Sequence, residues 1–136
     1  MKVVAYSVKP FEREPLAKAN RKKHDITLIF NSLSLETAVF AEGKEAVMVS
    51  ATDDLSAAVL DKLAGLGVKY ITTRSAGSGH IDNIAAARNG IKLASVPEQF
   101  DIAGQSIKNL DVWEMNKCAG KACICTPRCA KFHNLG

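Results

Sequence analysis

At 136 residues, with 47% hydrophobic and 24% charged positions, the chain suits one globular unit with a real core and leaves little room for a second. The formal charge of +4 is modest, and its densest patch, RKKH at 21–24, falls where a first helix ends; cations there complement the helix dipole, and no nucleic-acid partner is expected. No apolar run is long enough to cross a bilayer and MKVVAYSVKP carries too short an apolar stretch for a signal peptide, so the expectation is a cytoplasmic chain with no membrane partner.

Taken in chain order, short apolar runs at 3–7, 26–30, 46–50, 68–72 and 92–96 predict five strands, with helix-length segments between them. Near-continuous apolar strands alternating with helices are the signature of a parallel sheet covered on both faces, which makes this an α/β design. The helices carry their own punctuation. Ser34 precedes LETAVFAEG, which closes at Gly43, and 52–54 precede LSAAVLDKLAGLG, which closes at Gly65 and Gly67. Leu55, Val59 and Leu63 fall four apart and predict one stripe packed on the sheet. Asp82 is placed to cap a helix over 83–89, with Gly90 ending it. Further on, Ala103, Ile107, Leu110 and Trp113 are spaced for one buried helix face.

In such sheets ligands collect beyond the carboxyl ends of the strands, so 7–10, 50–53, 73–79 and 97–99 share one rim. TTRSAGSGHID, at 72–82, lies on it. As a dinucleotide fingerprint this stretch fails: Asp82 stands where the pattern wants a third small residue, and the loop follows a fourth strand rather than a first. A small carboxylate fits better, because successive main-chain N–H groups at Ala76, Gly77 and Ser78 can converge where glycine permits an otherwise strained path. A merely structural turn is the remaining reading.

Three stretches in order, MKVVAYSVKPFEREPL, DDLSAAVLDKLAGLGVKYITTRSAGS and HIDNIAAARNGIKLASVPE, resemble the substrate-binding or catalytic domain of D-isomer-specific 2-hydroxyacid dehydrogenases, D-lactate dehydrogenases above all, over about residues 1–98. The resemblance implies a flavodoxin-like, three-layer α/β/α domain on a five-stranded parallel sheet. It also implies that main-chain N–H groups at Ala76 and Gly77 hold the carboxylate of a 2-oxo or 2-hydroxy acid. Gly79 stands where the family usually has Asp or Asn. Gln99 stands where it has a tyrosine, and can donate a hydrogen bond from a similar place. In the family a nucleotide-binding domain comes next, with a glycine fingerprint, a polarising arginine and a carboxylate-oriented histidine. Here FDIAGQSIKNLDVWEMNK follows at once and resembles the family's C-terminal helix, so this chain alone is not expected to bind NAD. Its histidines are His24, at the basic helix end, His80, opening a helix, and His133; the first two are expected to be solvated or capping. Arg74 matches an arginine that the family carries without using it in the chemistry.

The sequence divides into an α/β unit at 1–115 and a tail at 116–136. In the tail, CAGKACICTPRC sets Cys118, Cys123, Cys125 and Cys129 in a C-x4-C-x-C-x3-C array holding every cysteine of the protein. Four thiolates can complete a tetrahedral zinc shell, with Lys117, Lys121, Arg128 and Lys131 offsetting its charge and His133 able to replace one ligand. An iron–sulfur cluster and thiol–disulfide chemistry are the alternatives, the first against the usual cluster spacings. The readings that follow are a non-catalytic binding or regulatory module for a small 2-oxo or 2-hydroxy acid with a metal- or redox-active tail, a component of an NAD-dependent oxidoreductase whose cofactor domain another chain supplies, and a metal-dependent module that docks a protein partner.

Overall fold

Five short parallel strands build the sheet: β1 (Lys2–Ala5), β2 (Asp25–Leu28), β3 (Ala46–Val49), β4 (Tyr70–Thr73) and β5 (Lys92–Ala94), laid side by side in the order β2-β1-β3-β4-β5. This is the flavodoxin-like doubly wound order, and the direction of winding reverses between β1 and β3. The computed structural model describes residues 1–76, 79–97 and 100–125.

Alternation along each strand explains the continuous apolar runs. Val3, Ala5, Ala46 and Met48 face one side, where α1 (Pro10–Asn20) and α4 (Ile102–Glu114) cover them with Leu16, Ala103, Ile107, Leu110 and Trp113. Val4, Tyr6, Val47, Val49 and Ile71 face the other side, under α2 (Ala57–Gly65) and α3 (Asn83–Arg88). Both faces of the central strands are covered, so polar alternation is confined to the edge strand β2, where Asp25 and Thr27 are exposed and Ile26 and Leu28 half-buried. The ladders are shorter than the apolar runs, because burial continues beyond the last paired residue: Tyr6 and Val8 stay in the core after β1 has ended.

Two helical expectations are corrected. After Ser34 the chain makes only a 3-10 turn over Thr37–Ala41. There the Thr37 hydroxyl donates to the Ser32 carbonyl at 2.6 Å and accepts from the Ser34 N–H at 2.8 Å, local bonds that compete with a helical ladder. Likewise α2 begins at Ala57 with Ser56 as its N-cap, rather than at Leu55 directly after 52–54, because Leu55 bridges to Ile81 and Asp53 turns inward. Val59 and Leu63 form the expected stripe, with Leu55 in the core just before the helix. Asp82 does cap α3, accepting the Ala85 N–H at 2.9 Å.

On the opposite face α4 is registered by a buried amide. Asn109 donates to the Thr72 hydroxyl at 3.0 Å and to the Ser95 carbonyl at 3.1 Å, and Trp113 stacks on Tyr70 with ring centroids 5.1 Å apart. Beyond the helix, the described part of the tail folds back along the free edge of β5. Ser95 N–H donates to the Ala122 carbonyl at 2.7 Å, Ile124 N–H donates to the Leu93 carbonyl at 3.0 Å, and Cys123 bridges Ala94 in antiparallel fashion. This strap protects an edge that would otherwise present unpaired backbone groups. Among the described residues no helix is long and apolar enough to cross a membrane.

Candidate functional site on the strand rim

At the carboxyl end of β1 the chain turns sharply, with Ser7 in the left-handed region at φ 56°. Its hydroxyl donates to Asp53 Oδ1 at 2.6 Å. The same carboxylate accepts the Leu33 N–H at 2.8 Å through Oδ1 and the Ser50 N–H at 2.8 Å through Oδ2. Asp53 is only 3% exposed, and it ties together the loops that leave β1, β2 and β3. A buried carboxylate is tolerable only when its lone pairs are filled, and here main-chain N–H groups and a hydroxyl fill them. Placing 50–53 on the rim identified the neighbourhood, but nothing in the spacing marked Asp53 as its clamp.

The loop after β4 starts with Arg74, whose N–H donates to the Val49 carbonyl at 2.8 Å. Its side chain is 2% exposed and runs inward: Nε donates to Glu12 Oε2 at 2.8 Å, and Nη2 donates to the carbonyls of Tyr6 at 2.9 Å and Ser7 at 3.1 Å. Glu12 in turn accepts the Lys9 N–H at 2.9 Å at the start of α1. This arginine therefore braces the β1–α1 turn. Ser75 continues the loop, its carbonyl accepting the Val96 N–H at 3.1 Å, so the turns after β4 and β5 are joined just before Ala76, which is exposed. Gly77, Ser78 and Gln99 lie outside the described residues.

His80 departs from its expectation. It is half-buried, with the main chain of Ser50 and the Asp53 carboxylate in its surroundings. Burial pushes its pKa down, against the opposing pull of Asp53 and of the Ser50 main chain, which favours the neutral imidazole. Its Nε2 is buried without a hydrogen-bond partner among the described residues. Nearby, burial and the negative charge of Asp53 raise the Tyr6 hydroxyl to about 12, and that hydroxyl donates to the Thr37 carbonyl at 2.7 Å.

His24 also departs from the expected solvated position. Its side chain is 1% exposed at the amino end of the strands, with Nε2 2.7 Å from Asp111 and Nδ1 3.5 Å from Glu114. Burial alone would raise the Asp111 carboxyl, but hydrogen bonds from Lys23 and His24 outweigh it and hold the group below the usual carboxylate range. This cluster fastens the end of α1 to α4, away from the rim.

In the tail, Cys118, Cys123 and Cys125 line one apolar cavity of about 420 Å³ together with Trp113 and Ile91. Cys118 is exposed, and partial burial together with the neighbouring Cys123 pushes its pKa up. Cys129 lies outside the described residues. Among the described residues no three His, Cys, Asp or Glu side chains are grouped closely enough to hold a metal ion.

The fold is that of the catalytic domain of D-isomer specific 2-hydroxyacid dehydrogenases, and the sequence comparisons agree. Residues 3–103 match the model of the D-isomer specific 2-hydroxyacid dehydrogenase catalytic domain, and the chain belongs to that family. It is 40% identical over 98 residues to 2-hydroxyacid dehydrogenase homolog 1 of Schizosaccharomyces pombe, and 39% identical over 98 residues to D-lactate dehydrogenase of Escherichia coli. Each match covers 71% of this chain and 30% of the relative, so the chain spans about a third of the length of the curated relatives it matches. Among solved structures, apo D-lactate dehydrogenase from Escherichia coli superposes with a TM-score of 0.69 at 37% identity, covering 71% of this chain and 32% of that one.

Proposed function

We propose that the chain is a binding module for a small 2-oxo or 2-hydroxy acid, acting in sensing or regulation rather than in turnover by itself. The carboxylate is received by main-chain N–H groups at Ala76, Gly77 and Ser78, with Gln99 as a further donor. The observation that carries this reading is the bracing of the loop. Arg74 N–H on the Val49 carbonyl and Val96 N–H on the Ser75 carbonyl pin the approach to Ala76 at the strand rim of a family whose relatives are named for 2-hydroxyacid and 2-oxoacid chemistry. Such pre-organisation lowers the ordering cost of binding a small anion.

Reduction of a 2-oxo acid also needs a cation on the carbonyl oxygen and a proton donor. Arg74 is committed inward to Glu12 and to two carbonyls, and His80 is held neutral, so neither supplies a cation at the rim. Their roles are to position the loop. The competing reading, a subunit whose nicotinamide-binding partner is a separate chain, rests on relatives such as the aromatic 2-oxoacid reductase of Clostridium sporogenes, 35% identical over 98 residues.

Thermal stabilisation by pyruvate, D-lactate and an aryl 2-oxo acid, run beside an NADH oxidation assay, separates the readings. Stabilisation without turnover, lost in Gly77→Val, is the expected result. Turnover by the chain alone would overturn the non-catalytic reading. Absence of stabilisation by any of the three acids would overturn the acid site.

A further inference from the structure

The apolar cavity of about 420 Å³ under the strap lies away from the rim, and the acid site uses none of it. It sits at the amino end of β5, where the turn from α3, the end of α4 and the strap meet; the rim loops leave the opposite ends of the strands. Its volume falls in the ~300–1,000 Å³ range of clefts that take small molecules. Buried Trp113 and Ile91 form its deep part, and exposed Ala87 and half-buried Ala119 stand nearer the solvent.

Two features keep this space open. Gly90 turns the chain at φ 70°, and a Cβ built there would meet nothing within 4 Å. The strap is fixed along β5 instead of folding inward: Leu93 N–H donates to the Cys125 sulfur at 3.1 Å, and the Cys125 thiol donates to the Leu93 carbonyl at 3.4 Å. Among the described residues the strap offers this space only cysteines and Ala119, side chains too small to fill it.

Charge decides what the cavity takes. Lys92 is the sole charged side chain among the described residues of its walls; it is exposed and forms no ion pair with a described residue. Strand register sets Lys92 beside Tyr70, on whose ring Trp113 stacks, so the lysine stem leaves the sheet next to an aromatic floor. Over 115–125 the chain adds Lys117 and Lys121 and contains no Asp or Glu. A cation beside apolar walls attracts an anion more strongly than one in open water. A second charge on the ligand would have to be buried against those walls, which favours a monoanion.

We propose that this cavity is a second ligand site, which receives a small monocarboxylic acid with an apolar body of about ring size. The body lies against Trp113 and Ile91, and Lys92 donates to the carboxylate at the mouth. This site stands whether or not the rim binds a 2-oxo acid.

Trp113 is the chain's single tryptophan, so its emission reports occupancy of the cavity directly. The full chain is titrated with 3-phenylpropionate, which lacks the 2-oxo and 2-hydroxy groups of the rim ligands, and with 3-phenylpropionamide, its uncharged counterpart. The expected result is a saturable change in emission, with the acid bound about fivefold more tightly than the amide and weakened by added salt. Lys92→Met keeps the apolar stem at an exposed position and is expected to remove that preference. Iodoacetamide labelling of Cys118, read on the tryptic peptide CAGK, is expected to slow when the acid is bound. Gly77→Val is expected to leave all of these results unchanged, which separates this site from the rim. No saturable change, equal affinity for acid and amide, a preference that survives Lys92→Met, or loss of binding in Gly77→Val would each overturn the proposal.

Discussion

Asp53 and Ser7, 46 positions apart in sequence, meet through a hydrogen bond of 2.6 Å at the point where the winding of the sheet reverses between β1 and β3. The same carboxylate reaches the Leu33 and Ser50 amides, so one buried side chain sets the spacing of three loops at the carboxyl ends of the strands. Rigidity at the rim is therefore built by a group that need never touch the ligand.

Asp53→Ala is expected to destabilise the fold by ~3 kcal/mol or more, since it orphans two buried amides and a hydroxyl that each lose an ionised acceptor. Asp53→Asn keeps one acceptor oxygen and should cost about half as much. Urea midpoints measure both. An unchanged midpoint for Asp53→Ala would show that the loops are held without it.

Arg74→Met tests the inward role of that arginine. Leaving Glu12 without its partner, and two carbonyls without donors, is expected to cost ~3–5 kcal/mol. In a double-mutant cycle with Glu12→Gln, a coupling energy near zero would refute the ion pair as a brace.

Tyr6 gives a direct spectroscopic check. Its hydroxyl is raised to about 12, so the folded state favours the neutral phenol. The associated stability is fully present below the unfolded tyrosine pKa of about 10 and is lost as pH rises through about 12. Tyrosinate absorbance should show a late step that disappears in Tyr6→Phe.

At the acid end, Asp111 is held below its ordinary range by Lys23 and His24 after the opposing effect of burial. A depressed carboxyl contributes stability above its unfolded pKa of about 3.9, and that stability is lost as pH falls through the lower folded value. Asp111→Asn should flatten the fall in melting temperature below pH 4 while lowering stability at neutral pH; an unaltered acid limb would remove Asp111 from the account.

The order of elements and the two-faced sheet were legible in the apolar runs, because burial on both faces of the central strands leaves little polar alternation to confuse the pattern. The cap of α3 was legible in Asp82, since capping is a local contact. The missing helix after Ser34 was not, because the hydroxyl bonds of Thr37 are invisible to periodicity. His24 was read as solvated beside a run of basic residues. Asp111, 87 positions away, makes it a buried member of the α1–α4 contact.

Sequence by itself determined the family, the α/β class, the rim loop TTRSAGSGHID and the concentration of thiols in the tail, since each rests on local pattern or residue identity. Tertiary structure alone decided that Asp53 clamps three loops, that Arg74 faces inward to Glu12, and that the strap carrying Cys123 runs along β5. The physical reason is the same in the first two cases: a buried charge must be satisfied by groups far away in sequence, and only the packed sheet brings those groups within hydrogen-bonding distance.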